Sequence, residues 1–99
     1  MSYYFQHNLQ FTTHGMQRIK QRLNMNDLDD FEVKEKCVNY VEKSPYFFET
    51  KTDLYFELPI KKRMFFIVKK KDMTIITCTP ISVEREYILT SGDNYGPKF

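Results

Sequence analysis

The sequence predicts an α+β domain in which two N-terminal helices pack on a four- to five-stranded antiparallel sheet. Three observations predict it. Apolar residues recur at helical spacing in the first half of the chain. From Tyr46 to Ile81 the pattern changes to short runs rich in aromatic and β-branched residues. The breaks between those runs are brief and polar, which suits hairpins and not crossovers.

The elements follow in order. Asn8 to Thr12 alternate, Leu9 and Phe11 against Gln10 and Thr12, and suit a short strand. Thr12 or Thr13 then offers a hydroxyl to cap a helix. In that helix Met16, Ile19 and Leu23 fall at i, i+3 and i+7 and form one apolar stripe. Asn24-Met25-Asn26 breaks the pattern. A second helix is expected from near Asp27, where Asp27, Asp29, Asp30 and Glu32 complement the positive end of its dipole. Val33, Cys37, Tyr40 and Val41 give it a face to bury, and Ser44-Pro45 ends it, because the residue before proline avoids the α region.

The strand runs are Tyr46 to Glu49, Leu54 to Leu58, Met64 to Val68 and Met73 to Cys78. Lys51-Thr52-Asp53, Lys61-Lys62-Arg63 and Lys70-Lys71-Asp72 separate them. After Pro80, Ser82 to Leu89 reads either as a short helix capped by Ser82 or as a final edge strand. The domain is expected to span residues 1–90. Residues 91–99, from Ser91-Gly92 to Phe99, read as a turn-rich, mobile tail.

The 99 residues leave room for one core and no second domain. A chain of this size buries roughly two-thirds of its unfolded surface, and nine Phe with seven Tyr can fill that core without Trp. Cys37 and Cys78 have no CxxC or His-rich neighbourhood and read as free buried thiols of a reducing compartment, with a Cys37–Cys78 disulfide as the other reading. No stretch approaches the ~18 apolar residues of a membrane span. The N-terminus has neither a basic nor an apolar leader region, so a cytoplasmic protein is expected.

Net charge is only +2, but its distribution is uneven. Acids dominate from Asp27 to Glu42, whereas Lys61, Lys62, Arg63, Lys69, Lys70 and Lys71 occur with no acid among them. A dipolar molecule with one basic face can hold phosphate despite a modest total. These six are the candidate nucleic-acid-binding residues, although lysines at sheet edges also serve to block aggregation. The strand aromatics read mainly as core, with Tyr46 or Tyr55 the candidates for stacking on a base.

The segment richest in chemistry is His14 to Arg22. On a helix His14, Arg18 and Arg22 recur every four residues, roughly opposite Met16, Ile19 and Leu23. Guanidiniums fit phosphate oxygens bidentately and keep their charge. A neutral imidazole beside fixed cations is what attack of a ribose 2′-hydroxyl on phosphate needs without a metal. The plain alternative is a first-turn histidine and two solvated arginines. The acids Asp27 to Glu32 lack the spacing and glycine of a calcium loop, and no P-loop, GxSxG or zinc spacing occurs. No cofactor and no metal are expected.

The run Phe11-Thr12-Thr13-His14-Gly15-x-x-Arg18-x-x-x-Arg22 resembles the Ser/Thr-x-His-Ala-x-x-Arg-x-x-x-Arg opening of a family of small bacterial and phage domains near the RelE/ParE/BrnT toxin superfamily. Members continue with a second helix and a meander ending in a strand similar to Thr74-Ile75-Ile76-Thr77-Cys78. Glu84-Arg85-x-Tyr87 resembles the closing segment of BrnT-like toxins. Gly15 departs from the usual Ala, and an interior helical glycine costs ~1 kcal/mol. The resemblance implies a RelE-like fold and an RNA-directed domain acting as a metal-independent endoribonuclease. His14, Arg18, Arg22, Arg85 and Tyr87 would be its catalytic residues, and an antitoxin its partner. The rival expectation is a non-catalytic phage or bacterial accessory protein that binds and inhibits a host protein through Tyr3, Tyr4, Phe5, Tyr95 and Phe99.

Overall fold

The computed structural model describes residues 9–95, with side chains described through residue 91. Strand β1 (Gln10–Phe11) is followed by helices α1 (Thr13–Arg22) and α2 (Asp30–Glu42). Strands β2 (Phe47–Glu49), β3 (Asp53–Leu58), β4 (Lys61–Lys69) and β5 (Thr74–Pro80) come next, and helix α3 (Val83–Tyr95) closes the order.

Local chemistry explains the helix ends. Thr12 is the cap of α1, its hydroxyl accepting from Gly15 N–H at 2.8 Å. Asn24, at φ 58°, ends that helix in the left-handed region that Asn tolerates better than most residues. Helix α2 starts at Asp30, later than the acids alone suggested, because Asp29 and Glu32 close a reciprocal capping box. Asp27 therefore precedes the helix and does not belong to its first turn.

The sheet has the order β1-β5-β4-β3-β2. It is mixed, not wholly antiparallel: β2 to β5 form the expected meander, but β1 pairs parallel with β5, Gln10 opposite Thr74 and Phe11 opposite Ile75. Parallel pairing needs a long connection, and here both helices and three strands intervene between the partners. The β3–β4 hairpin turns at Pro59-Ile60, since Leu58 pairs with Lys61, so Lys61-Lys62-Arg63 belong to a strand and not to a break. A register shift opposite Ile67/Val68 lets Ile75 and Cys78, three apart, face the same side.

Helices cover both faces of the sheet. Met16 and Ile19 of α1 and Val33, Cys37 and Val41 of α2 bury against Phe56, Met64, Phe66, Val68, Ile75 and Cys78. On the reverse face Phe48, Tyr55, Phe65 and Ile81 pack with Ile67 and with Leu89 of α3. Phe65 and Phe66 are consecutive and both 0% exposed, which an alternating strand permits only when each face is covered. The expectation of two helices on one face is thus incomplete. The segment after Pro80 is a helix, Ser82 accepting from Arg85 N–H at 3.0 Å. It takes in residues 91–95, placed by the sequence at the start of a tail, while residues 96–99 lie outside the described residues.

Candidate nucleic-acid interface

Helix α1 is held against β5 by an unusually close approach. A Cβ on Gly15 would stand 2.6 Å from the Ile75 carbonyl oxygen, 2.9 Å from Thr12 Oγ1 and 3.2 Å from the Ile76 carbonyl carbon. Glycine is required there because the helix backbone rests on the strand backbone. That seating turns Met16 and Ile19 inward and leaves His14, Arg18 and Arg22 on the outward side, His14 and Arg22 exposed and Arg18 half-buried.

Arg18 Nε donates to His14 Nε2 at 3.3 Å, so the ring offers a lone pair at that nitrogen. Neither Arg18 nor Arg22 is paired with a carboxylate among the described residues. Lys20 differs: its ammonium bonds Asp30 at 2.8 Å, tying α1 to the start of α2 and lowering the Asp30 carboxyl below its ordinary range.

The six basic candidates of β4 and its turns divide. Lys61 and Lys62 are exposed, without carboxylate partners among the described residues. The charges of Arg22 and Lys61 both act to lower the Cys78 thiol. Burial dominates that thiol and pushes it up to about 12. Arg63 is used internally. Its Nε donates to the Ile81 carbonyl at 2.9 Å, its Nη2 pairs with Glu86 at 2.9 Å, and its guanidinium lies 5.0 Å from the Phe65 ring centre. At the far end of β4, Lys70 pairs with Glu49 at 2.8 Å and Lys69 stands 3.8 Å from Asp53, leaving Lys71 exposed.

Arg85 and Tyr87 do not join His14. They lie on α3, which covers the Phe65 face, while α1 covers the Phe66 face, so the sheet stands between the two groups. The sequence could not separate them, because the face a terminal helix takes is decided by the parity of the strands beneath it. Tyr46 is exposed and donates its phenol O–H to Glu86, which raises its phenol above the ordinary range, whereas Tyr55 is buried and presents no open ring face. Phe47, 54% exposed and stacked on Phe56, is the exposed ring of β2 that the sequence did not single out. Tyr3, Tyr4, Phe5, His7 and Phe99 lie outside the described residues, as does the side chain of Tyr95.

Set against protein-family models, curated proteins and solved structures, the chain matches none. What it offers chemically is therefore read from the site. His14, Arg18 and Arg22 form a line along α1 that sets fixed positive charge beside one imidazole, and Lys61 and Lys62 are exposed at the start of β4. Among the described residues no three His, Cys, Asp or Glu side chains gather as metal ligands. No helix in the described residues is long and apolar enough to cross a membrane.

Proposed function

We propose that this chain is an RNA-directed domain of the RelE/BrnT-like type, acting in the cytoplasm as a metal-independent endoribonuclease. One observation carries the reading: an exposed imidazole is bonded to a guanidinium on a helix face whose arginines have no carboxylate partners among the described residues. Arg18, Arg22, Lys61 and Lys62 would grip the phosphate backbone. His14 Nε2, released by Arg18 as the guanidinium turns to a phosphate oxygen, would accept the ribose 2′-hydroxyl proton. The 2′-oxygen then bonds to phosphorus, the bond to the 5′-oxygen breaks, and that oxygen takes its proton from the imidazolium or from water. The products are a 2′,3′-cyclic phosphate and a 5′-hydroxyl. Arg85 and Tyr87 have no part in this step.

The test is incubation with single-stranded RNA in EDTA. Cleavage leaving cyclic phosphate ends, reduced roughly 100-fold or more by His14→Ala, is the expected outcome. Intact RNA, or cleavage unchanged in that variant, rejects the catalytic part. Retained binding that Arg22→Ala weakens would still leave an RNA-binding domain.

A second reading has its own observation. On α3, Val83, Tyr87 and Ile88 are 70%, 71% and 57% exposed, an apolar strip of a kind that marks protein contacts. An antitoxin or a host protein seated there would make the chain a partner-binding module. A stoichiometric complex disrupted by Tyr87→Ser and indifferent to His14→Ala would favour it.

A further inference from the structure

A pocket of about 220 Å³ opens between α1 and α2, on the flank of α1 that carries Gln17 and Lys20. Phe11 and Met16 give it apolar walls, and Lys20, Asp30 and Lys34 give it charge. We infer that this pocket holds a guanine base of a single-stranded RNA, close to the bond that His14 would cleave. The inference rests on the RNA reading above and supplies the base preference that reading leaves open.

One array of atoms selects the base. Lys20 Nζ bonds Asp30 Oδ1 at 2.8 Å, so Nζ, Oδ1 and Oδ2 follow one another as a donor, an acceptor and a second acceptor. The Watson–Crick edge of guanine is the complement: the O6 acceptor, then the N1 and N2 donors. Uracil matches the first two positions and then sets its O2 acceptor against Oδ2. Adenine and cytosine each offer one donor group beside acceptors, which leaves one carboxylate oxygen unmatched. The Asp30 side chain is 67% exposed, so a base can reach it. It also stays an acceptor, because the hydrogen bond and charge of Lys20, with a smaller contribution from Lys34, hold its carboxyl below the ordinary range.

The rest of the pocket suits a nucleotide. Phe11 and Met16 offer apolar surface to the faces of a base. Lys34 lies 5.7 Å from the Phe11 ring centre and has no carboxylate partner among the described residues, which leaves its ammonium for the phosphate of the bound nucleotide. The helix sets the distance to the imidazole. Gln17 is three residues from His14 and three from Lys20, so it is the surface neighbour of both. His14 and Lys20 are separated by roughly 9 Å along the axis. A base seated at Lys20 therefore belongs to a nucleotide near the one whose 2′-hydroxyl meets His14.

The experiment titrates the ¹⁵N-labelled full-length chain with guanosine, inosine, adenosine, cytidine and uridine 5′-monophosphates and with inorganic phosphate. Saturable shifts at Gln17, Lys20 and Asp30 are expected, with the guanine nucleotide bound roughly tenfold or more tighter than those of adenine, cytosine and uracil. Inosine monophosphate lacks the N2 amino group and should fall between. Asp30→Asn turns one acceptor into a donor and should abolish the preference; the inosine comparison needs no variant and decides the matter if that one does not fold. The inference is overturned by no saturable shift, by equal response to the four bases or to inorganic phosphate, by inosine bound as tightly as guanosine, or by a preference that survives Asp30→Asn. Binding of mixed-sequence single-stranded RNA separates the two readings. RNA bound without guanine preference overturns this inference alone, and RNA not bound at all overturns both.

Discussion

At the scale of single residues, Gly15 shows how a helix-weakening choice becomes the better one. Alanine there would raise helix propensity by ~1 kcal/mol. Its methyl, however, would be driven to 2.6 Å from a backbone oxygen that cannot turn aside, and overpacking of that kind costs about 1–3 kcal/mol. Gly15→Ala should therefore lower stability by about 1 kcal/mol or more in urea denaturation, and should shift the amide resonances of Ile75 and Ile76. A stabilised variant would mean that α1 sits farther from β5. The two cysteines give a pH dependence. Burial pushes both thiols up to about 12, with Cys78 adding to the effect on Cys37. Above the ordinary thiol range the unfolded chain loses these protons while the folded chain keeps them. Stability should thus be unaffected by these groups near neutral pH and fall as pH rises toward 12, by at most about 1.4 kcal/mol per pH unit per thiol. Comparing urea midpoints at pH 7.5 and 10 checks this. The Cys37→Ala, Cys78→Ala double variant should show a shallower decline, and the native thiols should resist alkylation at pH 8.

At the scale of elements, α3 is fastened to the sheet by a cluster centred on Arg63. That residue has φ 61°, a conformation a long side chain rarely adopts, and it is held there by many partners at once. Glu57 Oε2 accepts from its backbone N–H, Ile81 and Glu86 accept from its guanidinium, and Tyr46 donates to Glu86. Arg63→Ala leaves the half-buried Glu86 without its cation and should cost about 1–3 kcal/mol. Amide exchange should then accelerate along α3 while α1 keeps its protection, and RNA affinity should not change. Loss of RNA binding in this variant would return Arg63 to the phosphate-binding set. Chemistry along the chain did announce the helix starts at Thr12 and Ser82, because capping is a matter of three or four neighbouring residues, whereas the second helix, expected from near Asp27, is started at Asp30 by the Asp29–Glu32 box.

For the whole molecule, the relevant quantity is how many cations remain free once internal pairs are counted. Of the basic residues on α1 and β4, Lys20, Arg63 and Lys69 are paired with carboxylates, as is Lys70 just beyond β4. Arg18, Arg22, Lys61 and Lys62 are left without carboxylate partners among the described residues. If all four contact a single strand, log affinity should fall with log salt at a slope of about −3, and Arg22→Ala should reduce that slope by about 0.7. Fluorescence anisotropy of a labelled RNA across a range of KCl concentrations measures both. A slope near zero would remove the phosphate-binding reading.

The sequence by itself determined the α+β class, the apolar stripe of α1, the meander of β2 to β5 and the outward placement of His14, Arg18 and Arg22. Each of these depends on periodicity or on groups within one or two turns of each other. Tertiary structure alone decided that β1 joins the sheet in parallel, that α3 covers the second face, and which cations are free. Those outcomes depend on which distant segments meet. Strand parity sends Phe65 and Phe66 to opposite sides, and with them Arg85 and Tyr87 away from His14, while carboxylates such as Glu86 and Glu49 arrive beside Arg63 and Lys70 only when the chain is closed.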